Sequence, residues 1–157
     1  MQELLSTAGH HNENARRRSI QGLRGLLGKH PAAASSHLPA IVNVLAGRLA
    51  DADADVRADV LDLWSSCLLK QLAPPQLAPF LPLLLAHAGA AASSAALAVR
   101  LDALASVVML AEHAGNTLAV EHATAAMHLF SGALSPVRMP SLMPRAERSR
   151  RQWRCLK

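Results

Sequence analysis

Residues 37–64, HLPAIVNVLAGRLADADADVRADVLDLW, lie over residues 80–107, FLPLLLAHAGAAASSAALAVRLDALASV, at an offset of 43 with no gap. Leu38 meets Leu81, Pro39 meets Pro82 and Val42 meets Leu85; further on, Val56-Arg57 meets Val99-Arg100, Asp59 meets Asp102 and Leu61 meets Leu104. An earlier copy lies 41 residues upstream of the middle one: Ala15-Arg16 meets Val56-Arg57, Ile20 meets Leu61, Leu23 meets Trp64 and Leu27 meets Leu68. Each copy reads as two helices. In the middle one a first helix is expected over 36–50, with Pro39 in its first turn, where a missing N–H costs nothing. The run Asp51-Ala52-Asp53-Ala54-Asp55 turns the chain and supplies capping carboxylates for a second helix to about Lys70. Val56, Val60, Leu61, Trp64, Cys67 and Leu68 share one helical face.

Working outward, the third copy is entered by Pro74-Pro75, and its two helices are expected to break over 89–94. In the first copy a short stub at 2–8 precedes a helix over 14–29, which stops before Pro31. Gly22, Gly25 and Gly28 weaken that helix by about 1 kcal/mol each relative to Ala; a close helix–helix approach is a reason for them. A further helix is expected over 117–134. The period falls within the 40–47 residues of HEAT and armadillo arrays. The expected fold is therefore all-α, an α-solenoid of about three and a half HEAT/armadillo-like helical hairpins. Its units are 2–31, 36–71, 76–112 and a partial 116–134, together a repeat domain over 1–134. With both ends unsealed, the array is expected to be marginally stable and to self-associate through Leu118, Val120 and Leu129.

Composition agrees with helices. Apolar residues make up 51% of the 157, aromatics only 3%, and Tyr is absent, so Ala and Leu carry the core. The net charge of +5 is not spread along the chain: residues 1–144 hold ten Lys/Arg and ten Asp/Glu, and 145–157 hold six basic residues against Glu147. The segment 135–157, with three prolines and no apolar stripe, is expected to be a disordered basic tail. Two cysteines, Cys67 and Cys155, give no disulfide framework and fit a reduced intracellular protein. The start MQELLSTAGHH lacks the pattern of a signal peptide, and the apolar stretch at 77–110 is interrupted by prolines, His87, Arg100 and Asp102, which excludes a membrane span.

Arg16, Arg57 and Arg100 recur at the period itself and are the most informative polar residues. One reading is a structural ladder, with Asp51 among its acids, in which each arginine pairs with an acid or a carbonyl of the neighbouring unit. The other is a basic stripe for RNA. Val56 and Val99 beside them mark a partly buried edge and favour the ladder. Arg17 and Arg18, with Arg148, Arg150, Arg151 and Trp153 in the tail, are the candidate nucleic-acid contacts; a solvated face is the plainer reading of the first two.

Chemistry-bearing patterns are missing. The eight histidines show no HExxH or other ligand spacing. Cys67 lies on an apolar stripe, where a small buried thiol is at home. Asp51, Asp53 and Asp55 lack the glycine and distal glutamate of a calcium loop. No glycine-rich phosphate loop or paired carboxylate stands in the sequence. The expectation is a protein without catalytic, cofactor-binding or metal-binding residues, small-molecule substrate or membrane partner.

Taken together, residues 3–112 resemble the testis-expressed protein ten / pre-rRNA-processing family. The resemblance rests on the leucine-rich first helix and on His11-Asn12 before an arginine-led helix. It rests too on Gly22, Leu23, Leu26, Leu27, His30 and Pro31, on His37, Leu38 and Ile41, and on the acidic turn before Val56-Arg57. The segments at 79–87 and 99–104 fit the same pattern. The resemblance implies a nuclear, mostly nucleolar scaffold of the Rix-type complex. Its partners would be protein subunits on large-subunit precursors, acting during removal of the second internal transcribed spacer, with rRNA contact as a further implication. Family members are considerably longer and customarily carry a basic N-terminal extension, and the segment from Ser135 has no counterpart in the pattern. A generic HEAT adaptor in transport or cytoskeletal regulation, and a direct RNA binder, are the alternatives.

Overall fold

The side chain of Asn12 accepts a hydrogen bond from the Ala15 N–H at 3.1 Å and so caps a helix. That helix, α2 (Glu13–Lys29), has Glu13 in its first turn and Lys29 in its last, the polarity a helix dipole favours. It follows α1 (Gln2–Thr7). Then come α3 (Ala32–Arg48), and α4 (Ala54–Leu63), which is capped by Asp53 accepting from the Val56 N–H at 2.9 Å. The same rod continues through a π-helical stretch, Trp64–Leu68, into α5 (Leu69–Gln71). The last described elements are α6 (Pro74–Leu77), a 3₁₀ turn (Ala78–Phe80), α7 (Leu81–Ala92) and α8 (Leu97–Ala114). This computed structural model describes residues 1–115 together with 123–124, 126–128 and 131. Among them every regular element is helical, so the protein is all-α. The expected helix over 117–134 falls mostly outside the described residues, as do Leu118, Val120, Leu129 and the whole of 135–157.

The helices pack in two layers. α1 lies against α3 and α3 against α7; behind them α2 lies against α4 and α4 against α8. α1 pairs with α2, α3 with α4, and α7 with α8 across the layers. Ser19 Oγ of α2 donates to the Leu4 carbonyl of α1, and Gln71 Nε2 donates to the Leu27 carbonyl at 3.3 Å. The main core threads all of this: Ile20, Leu23 and Leu27 of α2, Ile41, Val42 and Leu45 of α3, Val56, Val60, Leu63 and Trp64 of the α4 rod, and Leu81 and Leu84 of α7. A second, smaller cluster of Ala91, Ala92, Val99 and Ala103 closes the α7–α8 end, where small side chains let the helices approach. No helix among the described residues is long and apolar enough to cross a membrane.

Several boundaries differ from the sequence expectation. The first helix of the middle copy starts at Ala32, four residues before 36, because Pro31 is an acceptable helix start and Ala32-Ala33-Ala34 continue it. Pro39 therefore sits in the helix interior, on an exposed face. Its counterpart Pro82 is at the start of α7 instead, since Pro74, Pro75 and Pro79 break the preceding stretch into α6 and a 3₁₀ turn. The break in the third copy is at 93–96, not from Gly89, which continues α7 because a glycine flanked by alanines only weakens a helix. On the α4 face Leu63 is fully buried and Leu61 only half-buried. Of the three glycines in α2, a Cβ at Gly22 would meet Leu4 Cδ2 at 3.0 Å, whereas Gly25 and Gly28 face open space. Close approach thus explains only Gly22. α8 ends at Gly115, whose φ of +48° is a conformation L side chains rarely adopt.

Candidate docking surface and the arginine tethers

Each repeating arginine lies in the first turn of a long helix of the second layer, and each turns back on the loop before that helix. Arg16 Nη1 donates to the carbonyls of His10 at 3.0 Å and His11 at 2.9 Å. Arg57 Nη1 donates to those of Asp51 at 2.8 Å and Ala52 at 3.2 Å. Arg100 Nη1 donates to those of Ser94 at 3.0 Å and Ala95 at 3.3 Å. The carbonyls always lie six and five residues upstream. Loop carbonyls left without helical partners are costly when buried, and the planar guanidinium can take two at once.

In Arg16 and Arg57 a further nitrogen reaches the next copy. Arg16 Nη2 meets Asp51 Oδ1 at 2.7 Å, and Arg57 Nε meets Asp102 Oδ2 at 2.7 Å. The two acids are not equivalent. At the offset of 43, Asp51 corresponds to Ser94, so Arg57 finds no carboxylate in the next loop and takes Asp102 on α8. Among the described residues Arg100 has only its loop carbonyls as partners, and its buried Nε has none. Arg16 also leaves Nε unpaired, but its Nη2 holds a carboxylate. All three arginines thus bind carbonyls of their own loop, a contact the sequence expectation assigned to the neighbouring unit.

Asp51 is the most constrained acid. It is buried, receives Arg16, the Arg48 guanidinium at 3.3 Å and the Asp53 N–H at 3.1 Å, and caps no helix; of the three acids of its turn, Asp53 does that. Burial pushes the Asp51 carboxyl up, but the Arg16 hydrogen bond, the Asp53 N–H and the charges of Arg16 and Arg48 outweigh it and hold the group below its ordinary value. Asp55, third of the run, instead meets Arg17 at 2.6 Å.

Arg17 also meets Asp59 at 3.2 Å, Gln21 donates to Asp59 at 3.0 Å, and Arg24 pairs with Asp62, so α2 and α4 are laced by ion pairs along their outer edge. The Asp59 hydrogen bond, ahead of a smaller opposing effect of burial, raises the Arg17 guanidinium above its ordinary value. Being open to solvent on at least one side, these pairs add little stability individually. Arg18 stands exposed. Arg148, Arg150, Arg151 and Trp153 lie outside the described residues. Asp102, partner of Arg57, is the acid missed in the sequence reading, although its recurrence with Asp59 at the period of the arginines was the signal that could have found it. Among the described residues no group of three or more His, Cys, Asp or Glu could hold a metal. Cys67 is buried, its Sγ 3.9 Å from the Arg24 carbonyl.

The arrangement is that of an all-α protein whose layered helices are fastened by a recurring arginine. No family model matches the chain. It is 32% identical over 123 residues to the Testis-expressed protein 10 homolog of Danio rerio, a stretch covering 78% of this chain. The matched stretch spans 13% of that relative's length. The chain belongs to the testis-expressed protein 10 family.

Proposed function

We propose that this chain is a non-catalytic HEAT-repeat scaffold that holds partner proteins during assembly of the large ribosomal subunit, in the nucleus. Membership of the testis-expressed protein 10 family carries the reading. What the family resemblance implies is a complex acting on large-subunit precursors, and a stack of helices with a recurring tether suits a protein that presents surface to partners. In this reading the helices group as helical hairpins over 2–31, 36–71 and 76–112, a partial unit follows, and Arg16, Arg57, Arg100 and Asp51 are structural. The partners are protein subunits, with rRNA contact a secondary contribution. The exposed apolar residues on α8 support a protein-binding role; Arg17, already held by two carboxylates, is a poor phosphate ligand.

The test is depletion of the protein followed by probing of precursor rRNA. Accumulation of large-subunit precursors that retain the second internal transcribed spacer is the expected result. Unchanged precursor levels would contradict the reading.

A further inference from the structure

The α7–α8 hairpin packs in two parts. Leu81, Leu84, Leu85 and Ala88 of α7 and Val107, Leu110 and Ala114 of α8 belong to the main core. Nearer the loop, Ala91, Ala92, Val99 and Ala103, with half-buried Leu104, form a separate cluster. The divide falls between Ala88 and Ala91 on one helix and between Ala103 and Val107 on the other. Each helix carries a weak point there. α7 has Gly89, and on α8 the buried Ser106 hydroxyl donates to the Ala103 carbonyl at 2.6 Å, a local bond of the kind that bends helices. The second copy has no such divide: at the positions of Ala92, Val99 and Ala103 stand Leu49, Val56 and Val60, all in the main core.

The polar fastening changes at the same place. Between the first and second copies the joint is laced by Arg16–Asp51, Arg17–Asp55, Arg17–Asp59 and Arg24–Asp62. At the next joint Ala58 stands in place of Arg17 and Ser65 in place of Arg24, while Ser94, Ala98 and Ala105 replace Asp51, Asp55 and Asp62. Among the described residues Arg57–Asp102 is the one ion pair between the α4 rod and α8. We propose that the loop end of the hairpin, residues 90–105, is a flap hinged at Gly89 and Ser106 and latched to the α4 rod by Arg57–Asp102. It opens while the main core stays folded, which gives the stack a joint between its second and third copies. Off the rod, its two helical ends are too short to stay helical in water, so they fray and their amides meet solvent. This inference is independent of the scaffold reading.

The test is hydrogen exchange of the full chain, read by mass spectrometry in peptides from α2 and from 90–105. Exchange in 90–105 is expected to be indifferent to low urea, because a small opening exposes little surface, while that of the α2 core accelerates. Ile20→Val, in the main core, should speed exchange in α2 about fivefold and leave 90–105 unchanged. Asp102→Asn should speed 90–105 about fivefold. Ala58→Arg with Ala98→Asp, both at exposed positions, sets the Arg17–Asp55 pair on this joint and should slow 90–105 about twofold. Acceleration of 90–105 by Ile20→Val as large as that of α2 overturns the proposal, since the hairpin end would then open only with the whole chain. So does exchange in 90–105 that Asp102→Asn leaves unchanged, since the pair would then latch nothing.

Discussion

Arg57 holds the carboxylate of Asp102 at 2.7 Å and, from the same guanidinium, the loop carbonyl of Asp51 at 2.8 Å. One side chain, 3% exposed, therefore fastens α4 both to the loop behind it and to the helix in front. Because Asp51 in turn receives Arg16, the tethers of successive copies meet at a single residue. The stack is held by polar groups at its loop end and by leucines and Trp64 through its middle.

That difference in burial makes the Arg57–Asp102 pair asymmetric. Arg57→Gln removes three bonds from a buried site and should lower the unfolding free energy by about 2–4 kcal/mol. Asp102→Asn should cost about 1 kcal/mol, since its carboxylate is partly open to water. In urea unfolding the double variant should cost less than the sum of the two. Equal costs that simply add would contradict the assignment.

Asp51 gives the fold a pH dependence whose sign is fixed. Its carboxyl is held below the ordinary value when folded, so its stabilisation is complete above the unfolded pKa, about 3.9, and is lost as pH falls through the lower folded value. Urea midpoints for the unsubstituted chain and Asp51→Asn should be well separated at neutral pH and converge below about pH 4. A gap that persists unchanged in acid would mean that the charge of Asp51 does not matter.

The glycines of α2 separate by their surroundings. Gly25→Ala should stabilise by about 0.5–1 kcal/mol, as alanine does in an open helix interior. Gly22→Ala should gain less or lose stability, because Leu4 must move away from the new Cβ. Thermal midpoints of the two variants check this, and a larger gain at Gly22 would show that α1 does not pack there.

Pro39 and Pro82 occupy matched positions in sequence but different ones in their helices. Pro39→Ala restores an interior N–H and should raise stability by about 1–2 kcal/mol, the helix gain being partly offset by the freer unfolded chain. Pro82→Ala, at the start of α7, should change little or destabilise slightly. The reverse order would place the start of α3 nearer Pro39.

The helical class and the recurrence of Arg16, Arg57 and Arg100 were legible because the period repeats residue type and position together. Helix ends were less so. Nothing in 31–36 alone distinguishes a loop from the first turn of α3, and packing of Ala34 into the core decides it. Asp51, Asp53 and Asp55 are identical in type and alternate in sequence, yet one is a buried ion partner, one a cap and one a surface pair. Which role each takes depends on where α2 lies, a tertiary fact that spacing does not carry. The exposed stripe on α8 was hidden for a related reason: Leu97, Leu101, Leu104 and Val108 look like core residues until the helix's other face is seen to be buried.

The most direct test of the scaffold account is sedimentation of the tagged chain in a sucrose gradient of nuclear extract at physiological salt. The account predicts co-migration with large-subunit precursor particles. It also predicts that this survives a rise from about 50 to 200 mM salt, a change that would cost an RNA contact of six or more phosphates orders of magnitude in affinity. Retention at the top of the gradient, for protein shown by circular dichroism to be helical, would contradict it.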